Sequence, residues 1–247
     1  MNPVLEKILE TQEVESLTGE KIPLRVAVNR DEGELLGRII SSDAGVFRTL
    51  EVGCAYGISS LFILNALELR EQGNHTIIDP FQYETWNGIG LENIKRAGYT
   101  NYTHLQERSE FILPELVKNG EKFDFIFIDG FHTFDHTLID CFYATRLLKV
   151  GGYLAVDDVD LPPVRKVVDY LKLYPCYKVK EESTYTTKKS ASKKVLLGLI
   201  HTIPERTRKR LINKSAMNDL SERNTSLTVL KKVAEDERGW DWFDSSF

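Results

Sequence analysis

Residues 122–129, KFDFIFID, constrain the fold more than any other stretch of the chain. They form a continuous apolar run closed by an acid, the pattern of a strand buried on both faces of a parallel sheet. Residues 48–52 (RTLEV) read as a second buried strand that runs into Gly53-Cys-Ala-Tyr-Gly57 and then into the apolar SSLFILNALEL: strand, glycine turn, helix. Residues 75–79 (HTIID), 102–105 and 153–156, the last followed by Asp157-Asp158, read as further strands, as do 177–182 and 226–233. Helices are expected over about 31–42, where Leu35, Leu36, Ile39 and Ile40 recur at helical spacing, and over 87–97 and 110–118. Another is expected over 134–148, with Leu138, Phe142 and Thr145 on one face and Gly151-Gly152 closing it, and a last one from Pro162-Pro163 to about Leu173. At least five strand–helix alternations imply an α/β fold with a doubly wound parallel sheet. Such sheets bind ligands beyond the carboxyl ends of their strands. Glu51, Asp79, Asp129, Asp157 and Asp158 all fall at or near such ends, so the alternation predicts one cleft lined by carboxylates.

Composition narrows the class. A length of 247 residues suits one large domain, or one domain with an appendage. With 42% hydrophobic and 28% charged residues, the chain is neither disordered, collagen-like nor a pure coiled coil. Apolar runs of about 18 residues are absent, and Glu, Gln and Lys interrupt residues 1–20. Neither a membrane helix nor a signal peptide is therefore expected, and a cytoplasmic location is. Cys54, Cys141 and Cys176 are odd in number, far apart and outside any CxxC pair, which argues against a disulfide framework or a zinc site.

The net charge of −5 conceals a split: residues 188–214 carry +8, leaving −13 for the rest. Three regions follow. Residues 1–45 form an N-terminal helical segment on the substrate side. Residues 46–187 and 225–247 form the core. Residues 188–224 form a basic helical insertion. In the insertion, Val195, Leu196, Leu199, Ile200 and Ile203 make an apolar stripe flanked by KKSASKK and RTRKR. A substrate lid, a membrane-surface helix, a nucleic-acid grip and a helix packed on its own domain or on a homodimer partner all stay open for it. The closing GWDWFDSSF is expected to tuck against the domain or the basic segment.

Glycines after a first strand let the backbone approach a ligand. The Gly-x-x-x-Gly spacing of Gly53 and Gly57 is not the GxGxxG of nicotinamide and flavin binders, and a tight turn needed only for packing explains the glycines equally well. Asp79, ending the next strand, suits the two hydroxyls of a ribose. Asp129 and the Asp157-Asp158 pair end two strands 28 residues apart. Adjacent parallel strands bring these carboxylates together, where they repel and raise one another's pKa. A hard cation such as Mg²⁺ or Ca²⁺ resolves that conflict; helix capping and pairing with lysines are the alternatives. His132 and His136 at i, i+4 spacing suggest zinc, but the Glu base and third ligand of that design are missing, and His136 is expected to be solvated.

LEVGCAYGISS and IIDP resemble the first motif and the second-strand acid of the class I S-adenosylmethionine-dependent methyltransferases. The resemblance implies a Rossmann-like, mostly parallel seven-stranded sheet with an antiparallel last strand and the helical insertion before it. It further implies that Gly53 and Gly57 flank the methionine part of S-adenosylmethionine, that Asp79 holds the ribose and that Glu51 orients the glycine loop. Ser59 and Ser60 would then bind the cofactor carboxylate or cap the helix. DGFH and GGYLAVDD resemble the metal-dependent O-methyltransferases of the catechol and caffeoyl-CoA type, and their relatives that methylate antibiotic sugars, where the pair is Asp-Asp as here. That similarity makes Asp129, Asp157 and Asp158 the ligands of Mg²⁺ or another divalent cation, places Phe131 on adenine and sets Ser109 at the adenine edge. Phe131 as plain core and Ser109 as a helix cap are the alternatives. His132 stands where the catechol-type enzymes place a catalytic lysine. It serves as the base, or it hydrogen-bonds Asp129 or ligates the metal.

The resemblance covers about residues 25–182 and the last strand. It implies a divalent-metal-dependent O-methyltransferase acting on a small hydroxylated acceptor, a sugar or a phenol. The alternatives are an RNA methyltransferase using the basic insertion, which the net charge of −5 counts against, and a non-catalytic methyltransferase-like binding module.

Overall fold

A computed structural model describes residues 1–24, 27–68, 70, 73–186 and 223–244. The expectations for the basic stripe at 188–214 fall outside these residues.

Helix α1 (Pro3–Thr11) opens with Asn2 as its cap, the Asn2 side chain accepting from the Val4 N–H. A small antiparallel hairpin follows, β1 (Glu13–Glu15) with β2 (Lys21–Pro23), so residues 1–45 are not helices and loops alone. Helix α2 (Arg30–Ser42) begins with a capping box. Asn29 Oδ1 accepts from the Glu32 N–H at 3.0 Å, and the Glu32 carboxylate accepts from the Asn29 N–H at 2.9 Å.

The remaining strands are β3 (Arg48–Val52), β4 (Asn74–Ile78), β5 (Tyr102–Leu105), β6 (Phe123–Ile128), β7 (Leu148–Val156), β8 (Tyr177–Thr186) and β9 (Arg223–Lys232). They form one seven-stranded sheet in the order β5-β4-β3-β6-β7-β9-β8. Every pairing is parallel except those of β9, which runs antiparallel to β7 and β8. The chain winds outward from β3 to β5, then returns to lay β6 on the other side of β3. That reversal opens a crevice beyond the carboxyl ends of β3 and β6. Strand β8 runs in the same sense as β7, so the chain leaves β8 and re-enters β9 at that same edge.

The helices α3 (Ile58–Leu67), α4 (Ile89–Arg96), α5 (Ser109–Lys118), α6 (Phe134–Leu147) and α7 (Pro162–Leu171) cover the two faces. Side-chain alternation in β6 shows how: Phe125 and Phe127 join Leu36, Ile40 and Leu61 in one core, while Ile126 and Ile128 join Leu113, Cys141 and Val167 in the other. Each such buried side chain contributes about 1.5–3 kcal/mol from burial.

Helix α6 departs from the sequence expectation. It buries Thr137, Asp140, Cys141, Ala144, Thr145 and Leu147, whereas Phe142 is 41% exposed under the Arg146 guanidinium, 3.5 Å from its ring centroid. Small side chains let the helix lie close to the sheet, and close approach outweighs the larger apolar stripe. Nor do the two glycines end it. The helix stops at Leu147, and β7 begins at Leu148 and passes through Gly151 and Gly152. Its last carbonyls are satisfied from β9 instead: buried Lys232 donates to Thr145 O at 3.0 Å and Leu148 O at 2.8 Å.

In the C-terminal tail, Trp242 tucks against Tyr170 and Tyr174, with Arg238 over Tyr174 at 3.2 Å, while Trp240 is exposed. Among the described residues, no helix is long and apolar enough to cross a membrane.

Candidate active site

The loop after β3 is built from left-handed backbone at Gly53, Ala55 and Gly57. Gly53 has φ +89°, and a Cβ there would lie 1.9 Å from the Asp129 carbonyl oxygen. Gly57, at φ +77°, would meet Gly90 O at 2.7 Å. Both glycines are therefore required by chain packing itself. The side chain that fixes the loop is Asp79. Its Oδ2 accepts from the Cys54 and Ala55 N–H groups at 3.1 Å each and from Gln82 Nε2 at 2.8 Å; its Oδ1 accepts from the Phe81 N–H at 2.8 Å.

Glu51 lies fully buried in β3 and accepts from the Ser59 and Ser60 hydroxyls. His75 Nε2 lies 2.9 Å from the same carboxylate, and His75 Nδ1 lies 2.9 Å from Thr49 Oγ1. Glu51 thus anchors the start of α3, and holding the glycine loop falls to Asp79. The Ser59 and Ser60 hydroxyls are engaged by Glu51, and the N-cap position of α3 is Gly57, with no side-chain capping bond.

Two cavities meet beside this loop. A cleft of about 480 Å³ is lined by Asp79, Phe81, Trp86, Ser109, Phe131, His136 and Asp140 among others. Phe131 is 49% exposed, edge-on to Phe81 at 5.9 Å and tilted against His136 at 5.1 Å, so it walls the cleft rather than filling the core. His136 was expected in solvent; it faces the cleft because α6 begins immediately beside it, and its Nδ1 lies 2.8 Å from Thr133 Oγ1. Ser109 is the first residue of α5, with Arg108 at the cap position, and lines the cleft beside Asp140. A second pocket of about 260 Å³ is lined by Glu32, Tyr56, Ser59, His132, Asp157 and Asp158 among others. The two share Cys54, Ala55, Asp129 and His132.

Sheet register aligns the acids of the second pocket. The Asp129 N–H donates to Val52 O at 2.8 Å and the Asp157 N–H to Ile128 O at 3.0 Å, each extending its ladder by one residue. Asp158 then turns with φ +54°. Single ligand atoms of Asp129, His132 and Asp158 lie within 4.8 Å of one another, with His132 Nδ1 3.2 Å from Asp158 Oδ2. Asp157 lies beside this group in the same pocket. Burial, then Asp157 and Asp158, hold the Asp129 carboxyl well above the ordinary range. Burial, then Glu32 and Asp158, do the same to Asp157. Burial also raises Asp158, against the pull of His132.

Residues 50–159, from β3 to just past Asp158, match a family model described as a methyltransferase domain. Solved structures of low identity share the chain's fold. The O-methyltransferase TomG from Streptomyces achromogenes, in complex with S-adenosylmethionine, is 18% identical with a TM-score of 0.63, over 95% of this chain and 91% of that one. The O-methyltransferase from Bacillus cereus, in complex with S-adenosylhomocysteine, is 16% identical with a TM-score of 0.62, over 94% and 92%. The S-adenosylhomocysteine-bound methyltransferase PaMTH1 of Podospora anserina is 14% identical with a TM-score of 0.58, over 94% and 88%. No curated protein matches the chain in sequence.

The site gathers the singled-out residues around its two cavities or directly beneath their shared loop. Three further residues carry no functional motif in the sequence, Glu32, Trp86 and Asp140, and His136 stood out only through its i, i+4 spacing with His132. Of the three, only Glu32 had a signal, the Asn29-x-x-Glu32 capping spacing, and that spacing says nothing of a carboxylate facing Asp157.

Proposed function

We propose that this methyltransferase transfers the methyl group of S-adenosylmethionine to a hydroxyl of a small molecule, with a divalent cation held by Asp129, Asp157 and Asp158. One observation carries the reading. The larger cleft and the acidic pocket share Asp129 and His132 as a common wall, so a donor bound in one meets an acceptor bound in the other. The cofactors named for TomG and for the Bacillus cereus enzyme support the donor. Asp79 lines the cleft, and its Oδ1 carries one hydrogen bond, which leaves acceptor capacity for a ribose hydroxyl. Phe81 and Phe131 supply apolar walls for a purine. The small acidic pocket suits a sugar or phenol hydroxyl.

The donor set fits a hard cation: oxygen ligands crowded together, each held above its ordinary pKa by burial and by its neighbours. A cation bound there lowers the pKa of an acceptor hydroxyl. His132 then takes the proton. Donating Nδ1–H to Asp158 leaves Nε2 free to accept it. The acceptor oxygen attacks the methyl carbon in line with the carbon–sulfur bond. An O–CH₃ bond forms, the S–CH₃ bond breaks, and the sulfonium becomes the neutral thioether of S-adenosylhomocysteine. The hydroxyl proton ends on His132.

The clustering of Asp129, His132 and Asp158 favours a second reading in which His132 is itself a ligand. His132→Asn separates the two. A lost base removes the acidic limb of the pH–rate profile at unchanged Mg²⁺ dependence, whereas a lost ligand raises the Mg²⁺ requirement. The function as a whole is tested by methyl transfer from labelled S-adenosylmethionine into a pool of hydroxylated small molecules. A strong chelator should abolish it and Mg²⁺ restore it. Full activity in the chelator overturns the metal assignment, and lack of S-adenosylmethionine binding overturns the function.

A further inference from the structure

Of the described acids that line the smaller pocket, Glu32 alone is left unused by the proposed cation site. It enters the pocket from the first turn of α2 while only 6% exposed. The capping box occupies a single oxygen, Oε2, which accepts from the Asn29 N–H. Oε1 makes no hydrogen bond among the described residues, yet it is not sealed off as Asp140 Oδ1 is, so it opens onto the pocket. A glutamine at this place caps a helix as well as a glutamate does, so the cap does not require the charge. Buried polar groups are normally satisfied, and an open carboxylate oxygen on a pocket wall points to a donor that arrives with a ligand.

The surroundings set the charge of that donor. Four carboxyl side chains line the pocket, Glu32, Asp129, Asp157 and Asp158, and no lysine or arginine among the described residues does. Arg30, in the same turn of α2, is turned to Glu6 at 3.0 Å and to Glu34 at 3.6 Å. A divalent cation on the three aspartates offsets two of the four charges and leaves Glu32 without a counter-charge. Tyr56, held edge to face by Trp86 at 5.0 Å, adds an aromatic wall to the same pocket. A carboxylate beside an aromatic ring suits an ammonium group, which donates to the first and is attracted by the second.

We infer that Glu32 determines specificity for the methyl acceptor, its Oε1 accepting from an ammonium group, so that the acceptor is a hydroxylated amine such as an amino sugar or a phenolic amine. The inference rests on reading the smaller pocket as the acceptor site. One end of such a molecule offers its hydroxyl to His132 and the other its ammonium to Glu32. A pocket that buries a charged acceptor group rejects an analogue that lacks the matching donor.

Methyl transfer from labelled S-adenosylmethionine, at saturating Mg²⁺, into a pool of matched pairs tests it. Each hydroxylated amine is paired with the analogue in which a hydroxyl replaces the amino group, dopamine with hydroxytyrosol and glucosamine with glucose among them. The full chain should methylate amines about tenfold or more faster than their neutral partners. Glu32→Gln keeps the capping box and turns an N–H toward the pocket; it should narrow that preference to about threefold or less. The change should fall on KM and not on kcat, and calorimetric titration of the same pairs into the S-adenosylhomocysteine complex should show the same narrowing. A merely structural role would slow both members of a pair together and leave the ratio standing. Equal or faster methylation of the neutral members by the unaltered protein overturns the inference and leaves the proposed function intact; this comparison holds whether or not the variant folds. An unchanged ratio in Glu32→Gln overturns it too, and a raised Mg²⁺ requirement beside that unchanged ratio assigns Glu32 to the cation instead. Label in no member of the pool, with S-adenosylhomocysteine bound, overturns the acceptor reading and this inference with it.

Discussion

The two cavities that share Asp129 and His132 are opposite in character. The larger, about 480 Å³, is walled by Phe81, Trp86 and Phe131 and floored by backbone that Asp79 holds in place. The smaller, about 260 Å³, crowds Glu32, Asp129, Asp157 and Asp158 together. One is shaped by aromatic packing and by the hydrogen bonds that Asp79 makes to the glycine loop. The other crowds carboxyls whose ionisation is opposed by burial and by one another. A rigid aromatic slot suits holding a large donor in one pose, and concentrated charge suits activating a small acceptor. The contrast follows from topology: Phe81 and Trp86 follow β4, Asp157 and Asp158 follow β7, and the end of β6 delivers Asp129 and His132 to both cavities.

The largest expected effect falls on the charged side alone. Asp129→Ala and Asp157→Ala should each lower methyl transfer by about a thousandfold or more, within the reach of lost electrostatic stabilisation, while S-adenosylhomocysteine affinity stays within a few-fold. Loss of cofactor affinity in step with activity would erase the distinction between the cavities. Asp157→Asn should at the same time raise the melting temperature of the metal-free protein, because it removes a carboxyl that burial, Glu32 and Asp158 all disfavour.

Next in size is Gly53→Ala. Its Cβ would collide with the Asp129 carbonyl at 1.9 Å and its φ of +89° is strained for alanine. A destabilisation of about 2–4 kcal/mol is expected, with both cofactor binding and activity lost, since that loop forms part of both cavities. Denaturant unfolding measures it; stability within about 0.5 kcal/mol of the parent would mean that the loop is freer than its packing implies.

A smaller effect separates the cavities by pH. Burial raises Asp140 to about 6, against the opposing influence of Ser109 and His136. The folded state therefore holds this proton more tightly than the unfolded state does, so stability is lost as pH rises from about 4 to about 6 and stays lost above. In the ligand-free protein, Asp140→Asn should raise the melting temperature at pH 7.5 by several degrees and change it little at pH 4. An equal gain at both values would show that ionisation at this position costs nothing. The smallest effect is that of Phe131→Ala, which should weaken S-adenosylhomocysteine about tenfold and leave the Mg²⁺ dependence of the reaction unchanged.

Much of the fold was legible because it depends on spacing along one segment. The apolar run of β6, the Gly53–Gly57 turn and the acids at strand ends are local patterns, and the sheet order places them as expected. The expected face of α6 holds in part: Thr145 is buried and Leu138 packs half-buried on the core, but Phe142 lies outward, because close packing on the sheet selects Thr137, Cys141 and Ala144. The same turn of α6 brought His136 and Asp140 to the cleft, a position set by how the helix rolls against α5 and not by its own periodicity.

Sequence by itself determined that a doubly wound sheet gathers carboxylates at one edge, since strand period and strand ends are fixed by neighbouring residues. Tertiary structure decided what each carboxylate does. Asp79 holds the loop and Glu51 holds α3 and His75, because the β3–β4 register sets which donors each acid meets. Glu32 joins the acidic pocket because α2, packed against α3 and β8, brings its first turn beside Asp157. Contacts of that kind depend on strands and helices far apart in the chain, and no local spacing encodes them.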